Sequence, residues 1–304
     1  MELDINKVYG ALFGAAVGDA LGAPLEFLPP RTEYNFVKDY IGGGLLRHKP
    51  GDTTDDTEMA LSIMDMYQKH GEYNQETIIK NWLGWLNSNP KDIGNWTHKV
   101  LNGWKNTKGF NLRGDLNPAV KIWKSGVNRN AGNGAVMRCM PTAIFRLNNH
   151  NKMVEETIKL AEDTHPDPRC IFSCLCVNQL IVDGILGKSK QQAYNNIIND
   201  FMKIDADFTN NIIESKFITW DEMNNGGFTN DTIKCALAAW LQYDNLEEGL
   251  IRVVNRGNDA DTVGAVAGAL FGAYYGVDKI PKRWMKFKNK DKIKEFADFA
   301  ITQW

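Results

Sequence analysis

The sequence predicts an all-α protein, and three observations carry that expectation. Nearly every apolar run recurs at helical period. Gly, Pro, Asn or Asp bounds each of these runs, as helix ends require. Strand-like alternation is nearly absent, and FITW at 217–220 is the best short strand candidate.

Taken in chain order, the first helix falls in GALFGAAVGDALGAPLEF (10–27), which is apolar apart from Asp19 and too short to span a bilayer. GDTTDDTEMA (51–60) opens a second helix that carries Met59, Leu61, Ile63 and Met64. NQETIIKNWLGWL starts at an Asn74 cap and sets Ile78, Trp82 and Trp85 near one face. HNKMVEETIKLAEDTH, DPRCIFSCLCVNQLIVDGILG and SKQQAYNNIINDFMKI continue the pattern. So do NDTIKCALAAWLQY, NLEEGLIRVVNRG, DTVGAVAGALFGAYYG and DKIKEFADFAITQW. No Pro- or Ser-rich linker or low-complexity run divides the chain, so one domain over residues 1–304 is expected. DEMNNGGFTND (221–231) reads as a surface loop.

Composition bounds the function classes. With 304 residues, 35 basic and 37 acidic side chains and a net charge of −2, nothing favours nucleic acid or a membrane surface as a partner. The acidic N-terminus is unlike a secretory signal, so a cytoplasmic monomer is expected. The five cysteines (139, 170, 174, 176 and 235) lack a second ligand pair for zinc and read as reduced core thiols.

GALFGA occurs at 10–15 and again at 268–273. Small residues three and four apart make a smooth helix face, so these two helices are expected to pack together and bring their flanking loops close.

Those loops are rich in oxygen. Thr54, Asp55 and Asp56 are consecutive at one helix start, with Asp52 and Glu58 beside them. A cap needs only one such side chain and perhaps one more acid to meet the helix dipole. Asp259, Asp261 and Thr262 repeat the arrangement at the start of the glycine-rich helix. Carboxylates and threonine hydroxyls without His or Cys suit a hard divalent cation, so the paired clusters point to one or two Mg2+ ions. Neither stretch has the twelve-residue ligand loop of an EF-hand. GNGAVMR (132–138) is a glycine-rich turn whose N–H groups could hold phosphate oxygens, although neither GxxxxGK[ST] nor a strand–GxGxxG–helix is present. Glu26 is either a surface acid or a carboxylate over the site. Asp92 is an N-cap or a substrate contact, and His165 is a helix-end residue unless it faces substrate. Among the tryptophans, Trp96 and Trp104 are the two not assigned to the core.

GAAVGDALGAPLEF, GDTTDDTEMA, DIGNWTHKVL, GNGAVMR, DTHPDP and NRGNDADTVGAVAGALFGAYYG, in that order, resemble the ADP-ribosylglycohydrolases. The resemblance implies an orthogonal helical bundle around a binuclear Mg2+ site, in which Mn2+ can substitute. It also implies metal ligands Thr54, Asp55, Asp56, Asp259, Asp261 and Thr262. Glu26 matches a glutamate on a flexible loop near the scissile bond, and it shares the catalytic assignment with Asp56. Asn130, Ala131, Gly132, Asn133 and Gly134 match a diphosphate loop. His165 and Asp92 match residues near the substrate. The activity implied is Mg2+-dependent hydrolysis of ADP-ribose from a protein side chain. Asn130 and Ala131 stand where serine-specific relatives carry Ser-Tyr, which favours arginine as the acceptor. Trp96 and His98 depart from the small or hydroxylated residue and the arginine of bacterial relatives. Small-molecule or polymeric ADP-ribose substrates, a non-catalytic binder and a phosphohydrolase are the rival readings.

Overall fold

The computed structural model describes residues 3–126 and 130–304, and these residues are all-α. α1 (Ile5–Gly22) starts at an Asp4 cap and runs into a 3-10 turn, Ala23–Leu25. α2 (Asp55–His70) starts at a Thr54 cap and ends on Gly71 in left-handed conformation. α3 (Gln75–Asn87) is capped as expected, with the Asn74 side chain accepting the Thr77 N–H at 2.9 Å. Ile78 and Trp82 on that helix are fully buried, and Trp85 is half-buried. Next come α4 (Asn95–Lys105), α5 (Pro118–Ser125), the 3-10 turn Asn133–Arg138 and α6 (Met140–Phe145). α7 (His150–Glu162), α8 (Pro168–Ile185), α9 (Lys190–Phe201) and α10 (Ala206–Ser215) follow. The chain closes with α11 (Thr229–Gln242), α12 (Leu246–Val254), α13 (Ala260–Tyr275) and α14 (Lys290–Ile301).

The strand candidate at 217–220 is not a strand; it is a turn leading into the 3-10 segment Trp220–Glu222. A single short run with no partner has no ladder to join, so its β-prone side chains do not decide its conformation.

α1 and α13 form the axis of the molecule, packed antiparallel along the two GALFGA-bearing faces. A methyl group at Gly18 would sit 1.9 Å from the Gly264 carbonyl oxygen, and one at Gly14 would sit 2.2 Å from that of Gly268. The backbones therefore touch, and only glycine permits the contact. α8, α11 and α12 pack around α13, while α2 and α14 lie against α1. One continuous hydrophobic cluster draws residues from both ends of the chain. The helix and its following turn, Ile5–Leu25, span 21 residues and are long and apolar enough to cross a bilayer, contrary to the expectation from the shorter apolar stretch. However, 94 % of its apolar window is buried inside the fold, so its apolar character is that of a core helix. All five cysteines are buried free thiols.

Candidate active site

Because α1 and α13 run antiparallel, the C-terminal end of α1 lies beside the N-terminal end of α13, and the start of α2 meets both. The two oxygen clusters come together there. Thr262 Oγ1 donates to Asp56 across 206 positions of sequence, at 3.1 and 3.3 Å to its two oxygens. Thr54 caps α2 through Oγ1, which accepts the Asp56 N–H at 3.3 Å. Asp19, noted in the sequence only as an interruption, reaches in from α1. Its carboxylate accepts the Thr54 N–H at 3.0 Å and the Thr57 hydroxyl at 2.5 Å.

Carboxylate oxygens collect in three groups, each within 4.8 Å: Asp19, Asp56 and Asp261; Glu26, Asp259 and Asp261; Asp55, Asp92 and Asp261. Asp261 belongs to all three, so it is the hub. Asp56 and Asp261 are almost fully buried, Asp55 nearly so, and Asp259 is half-buried at the first position before α13. Burial first, and then the negative neighbours, push the carboxyls of Asp55, Asp56 and Asp261 well above the usual range. Burial also raises Glu26, to about 10, with Asp92 as its largest charged neighbour. Glu26 Oε2 and Asp261 Oδ1 are buried and have no hydrogen-bond partner. Orphaned buried oxygens among crowded acids are what a bound divalent cation would satisfy. With oxygen-only donors and no His or Cys, the residues fit a hard ion of the Mg2+ or Mn2+ kind. Asp92, read in the sequence as a substrate contact, is held by the fold among the candidate metal ligands.

Asp52 and Glu58 are the ordinary part of the first cluster, and lysines compensate their charge. Asp52 accepts the Lys49 N–H at 2.9 Å and faces Lys91 at 3.4 Å; Glu58 pairs with Lys288 at 2.9 Å.

The acid cluster forms the floor of a cleft of about 680 Å³, whose walls include Asn130, Gly132, Asn133, Gly134, Trp96 and His165. The glycine-rich turn is less open than the sequence implies. Gly132 N–H donates to Asn130 Oδ1 at 2.9 Å, and Asn133 N–H donates to the Gly227 carbonyl at 3.1 Å. Ala131 is buried, and its carbonyl accepts the Thr229 N–H at 2.9 Å. The Asn133 amide donates to Asp259 at 2.7 Å, which ties this turn to the metal side of the cleft. Arg138, at the end of GNGAVMR, is buried over the Trp82 ring and donates to the Gly134 carbonyl and to Thr164. It is a strut beneath the turn, and the sequence gave no sign of that role.

Trp96 and Trp104 share one task. Their indole N–H groups donate to the carbonyls of Thr164 and Asp163, at 2.8 and 2.7 Å, and fix the turn that carries His165. His165 is buried on the cleft wall with Nδ1 2.8 Å from Thr164 Oγ1. Burial, followed by the nearby Arg138 charge, holds its pKa well below the usual value, so the ring is neutral and is no cationic helix-end partner. The stretch 221–231 is not the plain surface loop expected. Asn225 is fully buried, its backbone carbonyl accepts the Asp259 N–H at 2.9 Å, and Gly226 and Gly227 line the cleft. Its glycines and asparagines are there for backbone approach to the site, a use that composition cannot separate from a surface loop.

Three comparisons bear on this site. The family model described as ADP-ribosylglycohydrolase matches residues 2–304. An ADP-ribosyl-[dinitrogen reductase] glycohydrolase of Rhodospirillum rubrum is 32% identical over 286 residues, covering 92% of this chain and 89% of that one. The ADP-ribosylarginine hydrolase Tri1 of Pseudomonas putida (strain GB-1) is 31% identical over 292 residues, covering 94% of this chain and 75% of that one. A solved structure titled ADP-ribosylglycohydrolase-related protein complex superposes with a TM-score of 0.84 at 28% identity, covering 98% of both chains.

Proposed function

The chain belongs to the ADP-ribosylglycohydrolase family, and we propose that it hydrolyses the bond between ADP-ribose and an arginine side chain, using two Mg2+ ions. The observation that carries the reading is the convergence of three carboxylate groups on Asp261 at the floor of the cleft. Thr54, Asp55, Asp56, Asp259, Asp261 and Thr262 are the residues to hold the ions, with Asp92 beside them. When bound, the ions supply positive charge that lowers the pKa of a nearby water and steadies the ribose hydroxyls.

The chain's own residues account for the remaining steps. The turn at 130–134 and the neutral His165 line the wall along which the diphosphate and ribose lie. Binding there is remote from the reacting carbon and holds the ribose in place. The glycosidic bond breaks through an oxocarbenium-like state, and a carboxylate takes the proton of the attacking water. Glu26 suits that task better than Asp56. Its Oε2 has no partner, whereas both Asp56 oxygens accept from Thr262.

Arginine rests on the printed names of two relatives and on Asn130-Ala131 in the turn. A comparison of kcat/KM for arginine-linked and serine-linked mono-ADP-ribosyl peptides tests it. A higher value for the arginine-linked peptide is expected, and the reverse order contradicts the arginine reading. Catalysis in the cytoplasm by a monomer completes the proposal.

A further inference from the structure

Phe27 is the most exposed aromatic side chain on the cleft wall, 56 % exposed, and it directly follows Glu26. Its neighbour Leu28 packs against the hydrophobic core, whereas Phe27 is turned to the cleft. Its backbone lies at φ 61°, a left-handed conformation that is a genuine outlier for a bulky residue. Two backbone hydrogen bonds hold it there. Phe27 N–H donates to the Asn258 carbonyl at 2.6 Å, and Asn258 N–H donates to the Leu28 carbonyl at 2.8 Å. Asn258 is itself at φ 51°, so two strained residues clasp each other next to Glu26 and Asp259. This contact also means that the Glu26 segment is held closed over the acids.

Glycine would occupy the Phe27 backbone position without strain, so the ring is bought at a local cost and packs little in return. Its surroundings indicate what it serves. The mouth of the cleft beside it carries Glu26 and Asp92, two carboxylates that are not on the α2 or α13 starts. An exposed aromatic face beside carboxylates is a recognition surface for an organic cation.

We infer that Phe27 is a specificity-determining residue, the platform on which the guanidinium of the modified arginine rests. The inference builds on the arginine-linked reading above and assigns the acceptor end of the same cleft. Phe27 touches the leaving side chain, whereas Glu26 serves the reacting carbon.

The experiment compares kcat/KM for two substrates that share the ADP-ribosyl part, an arginine-linked peptide and O-acetyl-ADP-ribose. It is run on the wild type, Phe27→Gly, Phe27→Tyr and, as a control outside the cleft, Tyr34→Ala, which removes a fully exposed ring. In Phe27→Gly the ratio of arginine-linked to acetyl-linked kcat/KM is expected to fall about five-fold, through KM for the arginine-linked peptide. Phe27→Tyr restores the ratio, Tyr34→Ala leaves it alone, and Phe27→Gly unfolds no earlier than the wild type on heating. An unchanged ratio in Phe27→Gly, or equal losses on both substrates, overturns the assignment. A wild type that does not cleave the arginine-linked peptide overturns the functional reading itself, and that outcome is visible before any substitution is made.

Discussion

The Asp19 carboxylate accepts both the hydroxyl and the backbone N–H of Thr57, at 2.5 and 3.2 Å. It thereby locks the first turn of α2 to α1, beside the helix that carries Asp261. Asp19 is fully buried, and it also receives the Thr54 N–H. Removing it leaves these buried donors without a partner. Asp19→Ala is expected to cost about 3 kcal/mol and Asp19→Asn about 1 kcal/mol, read by urea unfolding in EDTA. Equal stability of wild type and Asp19→Ala contradicts the locking role.

The α1–α13 contact makes a paired prediction about glycines. Gly18→Ala forces a methyl group against the Gly264 carbonyl and is expected to destabilise by about 3 kcal/mol. Gly84, exposed on α3 with open space around its Cβ position, behaves oppositely. Gly84→Ala is expected to stabilise by roughly 0.5–1 kcal/mol through helix propensity. Thermal unfolding of the two variants checks the sign of each.

The site also sets a dependence on pH. Burial raises the Asp19 carboxyl from 3.8 to about 7, and Asp55, Asp56 and Asp261 shift in the same direction. In this window the folded chain therefore holds more protons than the unfolded one. Stability from these groups is present at low pH and is lost as pH rises through the folded values. In EDTA, the unfolding temperature is expected to fall between pH 5.5 and 8. Saturating Mg2+ flattens that fall, because the cations replace the protons. A slope unaffected by Mg2+ contradicts the placement of ions among these acids.

The two halves of GDTTDDTEMA separate in function. Asp261→Ala is expected to abolish Mn2+ binding, measured by electron paramagnetic resonance, because Asp261 is common to all three carboxylate groups. Asp52→Ala removes only a surface acid paired with Lys91 and leaves Mn2+ affinity within about two-fold. Comparable losses in both variants refute the division.

Much of the architecture was legible because it rests on local rules. Helical period and caps such as Asn74 identify the elements, and the repeated GALFGA identifies the one close helix pair. The excess of acid at Thr54–Asp56 and Asp259–Thr262 marks the site, since no single cap needs that many oxygens. Other roles depend on contacts far apart in sequence. Asp19 looks like a flaw in an apolar helix until the Thr54 and Thr57 donors are placed opposite it. Asn225 sits in a stretch with the composition of a surface loop, yet it is fully buried beneath Asp259. Arg138 looks like the polar end of a turn, and only the Trp82 ring and the Gly134 carbonyl explain its burial.

The most direct test is the product released from an arginine-linked mono-ADP-ribosyl peptide in Mg2+ and in EDTA, identified by mass. The account predicts intact ADP-ribose and unmodified peptide in Mg2+, and neither in EDTA. Release of AMP, which places the cut in the diphosphate, or equal release in EDTA contradicts it.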